Sequence, residues 1–159
     1  MEKINESEVL EKLIESPKGK FGLSRRHVSL ALGGKKDQGV WGGGHPFDVE
    51  LSVLPPGKKN YPFHSHAAQW EYYIFLSGTG RFLNEEKEWN EVKEGDHIVC
   101  PPKEAHQLEN NGTEDLVYYV IADHHPADIT TYPNTNKRHL KPEYQVVDIE
   151  PVDYYKNEE

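Results

Sequence analysis

The chain has 159 residues, which is enough for one domain with its own core and too few for two domains of ordinary size. Its formal net charge is −9 and no stripe of lysine or arginine follows the chain, so a nucleic-acid partner is not expected. The longest apolar runs, around 72–76 and 116–122, fall far short of the ~20 residues that a membrane span needs, so no membrane partner is expected either. The single cysteine, Cys100, cannot form an internal disulfide, which is compatible with the cytoplasmic location expected here.

The N-terminal segment, residues 1–44, is expected to pack as a short helix and a strand on the rest of the molecule. Residues 7–15 predict the helix, which ends before Pro17. A strand is predicted at 27–32, followed by a glycine-rich loop. The apolar stripe of the predicted helix consists of Val9, Leu10, Leu13 and Ile14.

A series of short strands is predicted from residue 45 to residue 122. Apolar and polar residues alternate along the first of them, and glycine, proline and asparagine mark the turns between them. Strands of this length and spacing are typical of a sandwich or closed barrel, so the fold class is all-β. Residues 123–159 are polar and contain several prolines, and they predict a wrapping tail with one strand near 144–149. The predicted barrel strands are 47–53, 62–66, 71–76, 80–83, 97–100, 105–109 and 116–122.

Two of the predicted strands, Trp70–Leu76 and Leu116–Ala122, are apolar on both faces. Each should therefore be covered on its outer face as well as on its inner face. The chain's own ends could provide this cover, and so could a second copy of the chain. We expect a homodimer formed by sheet packing, to which the N-terminal segment contributes.

Three histidines and a glutamate have the spacing of a metal site. His64 and His66 are two apart on a predicted strand, so both side chains project to the same face. Glu71 opens the next strand and His106 lies on a later one, and a closed barrel could bring all four together. Three imidazoles and a carboxylate suit Fe, Mn, Ni, Zn or Cu, whereas calcium prefers six or more oxygens. Taken alone, a His-x-His pair is more often two surface or hydrogen-bonded histidines.

The spacing of these residues resembles the two motifs of the cupin superfamily. Lys103 stands where the second motif has a turn glycine, and the spacer after Gly57 is one residue longer than the commonest form. Neither departure falls on a candidate ligand. The residues that match the first motif are Gly57, His64, His66, Glu71 and Gly78, and those that match the second are Gly95, Pro101, His106 and Asn110.

The resemblance implies a double-stranded β-helix, the cupin jelly-roll barrel, over residues 45–122. It also implies a divalent transition metal held by His64, His66, Glu71 and His106. It does not fix a reaction, because one fold hosts many functions. We expect a metal-dependent enzyme of the dioxygenase, isomerase or lyase type that acts on a small organic molecule. The alternatives are a ligand-binding module without turnover and a barrel whose metal only stabilises the fold.

The surroundings of the candidate site could separate these functions. A second polar residue facing the metal would favour acid–base chemistry, and a wholly apolar wall would favour binding alone. Strand alternation places Tyr73 and Phe75 beside Glu71, and Leu108 beside His106, which predicts an apolar, aromatic pocket.

Metal affinity is expected to fall below roughly pH 6, where imidazoles become protonated. The other histidines are interpreted as exposed or hydrogen-bonded to neighbours, with at most one of the consecutive pair facing the pocket: His27, His45, His124, His125 and His139.

Overall fold

A computed structural model describes residues 1–141 and 143–159, and Pro142 of the predicted tail lies outside the described residues. This part of the chain holds one short helix, α1 (Val28–Ala31), and two 3₁₀ turns at Glu6–Glu8 and Val40–Gly42. None of these helices is long and apolar enough to cross a membrane. The strands are β1 Glu11–Glu15, β2 Gly22–His27, β3 Asp48–Leu54, β4 Ser65–His66, β5 Glu71–Ser77, β6 Thr79–Leu83, β7 Trp89–Lys93, β8 His97–Cys100, β9 Gln107–Glu109, β10 Leu116–Ala122, β11 Ile129–Tyr132, β12 Lys137–Leu140 and β13 Gln145–Asp148.

The strands form three antiparallel sheets. The largest has the order β1-β2-β3-β10-β5-β8, the second has the order β13-β12-β11-β4, and the third has the order β7-β6-β9. The main hydrophobic core lies between the six-stranded and three-stranded sheets, where Tyr73, Phe75 and Tyr118 pack against Phe82 and Leu108. The all-β double-stranded β-helix expected from the sequence is confirmed.

Strand alternation determines which side chains reach this core. Along β10, Leu116 and Tyr118 are buried, whereas Val117 and Tyr119 on the opposite face are partly exposed. The predicted strands 97–100 and 116–122 have the same bounds as β8 and β10. Short apolar runs between turn residues were therefore a reliable signal for these two strands.

The predicted helix over 7–15 is wrong. Most of this segment is strand β1, which pairs along its full length with β2 in a hairpin. Pairing with a neighbouring strand outweighed the helical spacing of the apolar residues, because sheet hydrogen bonds and packing override a weak local preference. The turn between the strands contains Pro17 and Gly19, and this proline and glycine between two runs was the signal for a hairpin.

The strand predicted at 27–32 is also misplaced. The observed strand β2 ends at His27, and the following residues form the helical turn α1, which stops at Leu32 and Gly33. Gly33 has a φ of 85°, a left-handed conformation that ends a helix at little cost for glycine. The apolar residues after His27 were predicted to follow the period of a strand, whereas they form a turn of helix.

The C-terminal tail contains more sheet than the sequence indicated. The strand expected near 144–149 is present as β13, but β11 and β12 were missed, as was β7 within the barrel. These strands are short and polar, and their burial patterns do not alternate clearly. Strand β11 pairs with β4, with Thr130 opposite His66, so the tail adjoins the strand that carries a candidate ligand.

The outer face of the six-stranded sheet is only partly covered by the described residues. On the β3 side, the N-terminal segment contributes buried Val9, and the Tyr119 hydroxyl donates a hydrogen bond to Glu6. On the β5 and β8 side, Trp70 is 50% exposed and Val99 is 51% exposed. The chain's own ends therefore leave an apolar area on this face.

Candidate metal centre

Backbone pairing brings two distant histidines together. His64 and His106 exchange both backbone hydrogen bonds, with N···O distances of 3.1 and 2.8 Å. His66 follows on β4, and Glu71 begins β5. The four candidate ligands therefore come from three neighbouring chain segments at one end of the barrel interior.

The four side chains converge. Ligand atoms of His64, His66 and Glu71 all lie within 4.8 Å of one another. His106 Nε2 lies 2.9 Å from one carboxylate oxygen of Glu71, and His66 Nε2 lies 3.4 Å from the other. The three imidazoles are buried. This arrangement places a carboxylate among three imidazoles in a site shielded from water.

The outward nitrogen of each imidazole is hydrogen-bonded. Nδ1 of His64 faces the Pro62 carbonyl at 2.9 Å, and Nδ1 of His106 faces the Glu104 carbonyl at 3.2 Å. Nδ1 of His66 faces a carboxylate oxygen of Asp128 at 2.8 Å. Because these oxygens accept hydrogen bonds, each Nδ1 is assigned as the donor, which leaves Nε2 as the metal-binding atom. The residues therefore fit a divalent transition metal, with three imidazoles and one carboxylate as donors.

Burial and neighbouring charges shift the pKa values in this cluster. Burial, together with His106 and His66 nearby, lowers the pKa of His64 to about 3, so this imidazole stays neutral. Burial also lowers the pKa of His66, but Glu71 and Asp128 outweigh it and raise the value to about 9. The pKa of Glu71 is held well below its usual range because the histidines outweigh its burial. Glu71 is therefore ionised and able to offset the charge of a metal ion.

Asp128 is a residue of the candidate site that the sequence did not indicate. It is 0% exposed, and besides His66 it accepts hydrogen bonds from the backbone N–H groups of Ala68 and Gln69 at 3.2 and 3.3 Å. The ammonium group of Lys141 lies 3.3 Å from the same carboxylate. Asp128 is 62 residues from His66 in the chain, so no local motif could have indicated the contact.

The turn before His106 is preserved despite Lys103. This lysine has a φ of 75°, in the left-handed region that glycine usually occupies. Its backbone N–H donates to the His66 carbonyl at 2.6 Å, which ties the turn to the strand that carries a candidate ligand. The substitution of glycine by lysine therefore changes the side chain at this turn and leaves its left-handed conformation in place.

A cavity of about 310 Å³ adjoins the candidate ligands. The apolar, aromatic pocket expected from the sequence is observed in part: Tyr73 lines the cavity, whereas Phe75 and Leu108 pack in the core. The wall also carries charged residues, because β2, β3 and the tail contribute side chains that strand alternation within the two motifs could not place. The charged and titratable residues most relevant to ligand binding are Arg25, Asp48, Glu50, His124 and Lys141.

The fold and site define the class of the protein, a double-stranded β-helix with a cluster of side chains that could hold a metal ion. Residues 50–122 match the family model of the cupin domain. This part of the chain is a cupin domain, and the four candidate metal ligands, His64, His66, Glu71 and His106, lie within it.

Known proteins resemble the chain beyond this region. Auxin-binding protein 1 of Arabidopsis thaliana is 30% identical over 142 residues, which is 79% of this chain and 65% of the relative. The matched regions span between 50% and 65% of the length of three curated relatives.

Two solved structures are also similar. One, from Acidithiobacillus ferrooxidans, is provisionally named a sugar phosphate isomerase; it is 29% identical, with a TM-score of 0.64, and the match covers 82% of this chain and 81% of that one. The other is a sugar phosphate isomerase of the cupin superfamily from Silicibacter pomeroyi. It is 19% identical, with a TM-score of 0.75 and coverage of 96% and 98%, and it supports the fold alone.

Removing the charge of Asp128 should weaken metal binding. In Asp128→Asn the side chain loses the negative charge that orients His66, and we expect affinity to fall about 10- to 100-fold. Calorimetric titration with Zn²⁺ measures the change, with circular dichroism as a check of folding. Asp123→Asn is the matched control, because the Asp123 carboxylate accepts the Trp70 N–H and not a hydrogen bond from a candidate ligand. Equal affinity in the Asp128 variant and the control would contradict this role.

Metal affinity should rise with pH up to about 9. Below this value His66 holds a proton in the metal-free protein, and the proton must leave before Nε2 binds a metal. The stability that His66 contributes to the metal-free fold changes in the opposite direction, because it decreases as the pH rises. Because its folded pKa is raised, that contribution is complete below the ordinary value of 6.5 and is lost as the pH rises through about 9.

Metal titrations between about pH 6 and about pH 9 test this dependence. The structure therefore predicts that metal affinity changes at a higher pH than the value of roughly pH 6 expected from the sequence. Affinity that does not change over this range would show that His66 is not a ligand.

Proposed function

We propose that the protein is a metal-dependent isomerase that acts on a phosphorylated sugar. The observation that carries the proposal is a cavity that joins the histidine–glutamate cluster to positively charged side chains. Arg25, Lys36 and Lys141 line this cavity. Cationic side chains favour an anionic substrate group such as phosphate. The solved structure that is 29% identical and provisionally named a sugar phosphate isomerase supports the same substrate class.

His64, His66, Glu71 and His106 would hold the metal. When bound, a divalent ion acts as a Lewis acid that polarises oxygen atoms of the substrate. Asp128 fixes the ring of His66, and the burial of the three imidazoles limits their access to water.

Arg25 has the geometry of a substrate-binding residue. Its Nη1 donates to Glu50 at 3.2 Å and to the Tyr61 hydroxyl at 3.1 Å. These contacts hold the guanidinium in place at the cavity wall, and the group stays charged at any physiological pH. A guanidinium that is already ordered loses less conformational entropy when it binds a phosphate group.

Titratable groups on the cavity wall favour an enzyme over a module that only binds a ligand. The cavity contains carboxylates and imidazoles outside the candidate ligand set, notably Asp48, Glu50 and His124. Such groups can exchange protons with a substrate. The binding-module alternative has support from a different finding, since the relative from Arabidopsis thaliana is named for binding auxin. A structural metal is the third alternative.

The function is tested by assaying interconversion of aldose and ketose phosphates. The protein is purified without a metal-affinity tag, and its metal is identified by plasma mass spectrometry. We expect turnover that requires metal and that His106→Ala abolishes while the barrel stays folded. No turnover of any sugar phosphate by the metal-loaded protein would refute the proposal. If the metal were structural, His106→Ala would instead lower the melting temperature by several degrees or more.

A matched pair of variants tests whether Arg25 binds the phosphate group of the substrate. Arg25→Gln should raise KM for a phosphorylated sugar about tenfold or more, because a charge-assisted contact is lost. Arg26→Gln is the control: Arg26 is the next residue on β2, pairs with Glu11 and does not line the cavity. An equal KM in the two variants would contradict the role of Arg25.

We also propose that two copies pack through the apolar area of the six-stranded sheet. Trp70, Tyr72, Leu76 and Val99 are exposed there, and exposed patches of this kind mark protein interfaces. Leu10 and Leu13 of the N-terminal hairpin are also exposed and would extend the contact.

A charge in this area should separate the two copies. Light scattering of the wild type should give about twice the chain mass of 18.3 kDa, whereas Val99→Glu should give the mass of one chain. Val152→Glu, on the similarly exposed Val152 of the tail, is the control and should leave the dimer intact. A monomeric wild type at micromolar concentration would refute the dimer.

A further inference from the structure

A second histidine–carboxylate pair lies on the cavity wall outside the candidate ligand set. His124 is 7% exposed, and its Nε2 lies 2.9 Å from a carboxylate oxygen of Asp48. Its Nδ1 lies 3.1 Å from the amide oxygen of Gln69. The amide nitrogen of Gln69 in turn donates to Glu71 at 3.3 Å. One hydrogen-bonded series therefore runs from Asp48 through His124 and Gln69 to a candidate metal ligand.

The hydrogen bonds of Gln69 fix the direction of this series. Its amide nitrogen faces the carboxylate of Glu71, which can only accept, so the amide oxygen faces His124. The same amide oxygen also accepts from the ammonium group of Lys141 at 3.3 Å, and an ammonium can only donate. His124 must therefore donate from Nδ1.

The other ring nitrogen of His124 faces a second acceptor. Asp48 accepts from His124 through one oxygen, and its other oxygen accepts from the Val49 N–H at 3.0 Å and from the Ser29 hydroxyl. Although burial raises the pKa of Asp48, the contact with His124, the nearby His27 and the Val49 N–H together outweigh it and hold the pKa below its usual value. Both ring nitrogens of His124 thus face acceptors, which is the environment of an imidazolium paired with a carboxylate.

The backbone of His124 is held in an uncommon conformation. Its φ is 44°, in the left-handed region that non-glycine residues rarely adopt. The indole N–H of Trp41 donates to the His124 carbonyl at 2.9 Å and helps to hold this conformation. The next residue, His125, is exposed, so the left-handed conformation directs only one of the two consecutive histidines into the cavity. Backbone strain of this kind is concentrated at functional sites.

We propose that His124 is the general acid of the cavity and that Asp48 is its positioning residue. The inference rests on the proposed isomerase function and assigns the proton transfer between substrate oxygens to a residue outside the metal cluster. Other charged groups around the pair are Lys141 on the tail, Arg25 on β2 and Glu50 on β3.

The proton transfer balances over one isomerisation. The proton on Nδ1 passes to the carbonyl oxygen of the substrate, and the proton of the neighbouring hydroxyl passes back to Nδ1. A cavity carboxylate separately takes the proton from one carbon and returns it to the other. Both groups end in their starting states, the C=O bond moves by one carbon, and no oxidant or reductant is required.

Three variants of the full chain test the proposal. His124→Asn removes the acid but keeps a residue that tolerates positive φ. His125→Asn is the matched control at the exposed neighbouring position. Asp48→Asn removes the partner charge and leaves the imidazole in place.

The kinetic experiment compares kcat, KM and bound metal across these variants. We expect His124→Asn to lower kcat by about 10²-fold or more, with KM and metal content close to wild type, and His125→Asn to match the wild type. Asp48→Asn should lower kcat less. If the wild type is active and His124→Asn keeps its kcat, the general-acid role is refuted while the isomerase function stands.

Nitrogen NMR of ¹⁵N-histidine-labelled, Zn²⁺-loaded protein supplies a readout independent of activity. The His124 signals, assigned by their loss in His124→Asn, should show both ring nitrogens protonated near neutral pH, and Asp48→Asn should convert them to a single neutral tautomer. A neutral His124 ring in the wild type would overturn the inference whatever the reaction. A wild type that converts no sugar phosphate but shows the paired imidazolium would overturn the isomerase function and support His124 as a proton donor to another ligand.

Discussion

Burying three imidazoles and a carboxylate side by side is the constraint on which the rest of this structure depends. A buried polar group without a partner costs about 1–3 kcal/mol, and an isolated buried charge costs more. The protein meets this cost through specific acceptors, with a backbone carbonyl for His64 and for His106 and the carboxylate of Asp128 for His66. The barrel must therefore hold its strands in one register, because a shift of one residue would turn the imidazoles to the other face.

The backbone pair between His64 and His106 provides that register. Neither residue lies within a regular strand, yet they exchange two backbone hydrogen bonds. The left-handed turn at Lys103 donates to the His66 carbonyl and links the same two segments again. Side-chain geometry at the site thus follows from backbone contacts, which explains why the motif tolerates a lysine where a glycine is usual.

The sequence was sufficient for the barrel and for the convergence of the candidate ligands, because both follow from local pattern. Apolar runs bounded by turn residues located β8 and β10, and the spacing of His64, His66 and Glu71 around a turn placed their donor atoms within reach of one another. The N-terminal hairpin and the polar strands of the tail were missed because long-range pairing determines them. A cytoplasmic location, expected from the single cysteine, stays a prediction.

Long-range pairing also explains why the sequence did not indicate the charged residues of the cavity wall. Asp128 and Lys141 come from the tail, and Arg25 comes from the N-terminal hairpin, yet all three approach the site. A motif describes the segments that carry the ligands, whereas the cavity wall is completed by segments distant in sequence. Asp128 on the tail holds the ring of His66, so a metal bound at the candidate ligands would stabilise the docked tail, and the docked tail would in turn favour metal binding. Variation in the tail is therefore expected to change metal affinity while the histidine motif stays the same.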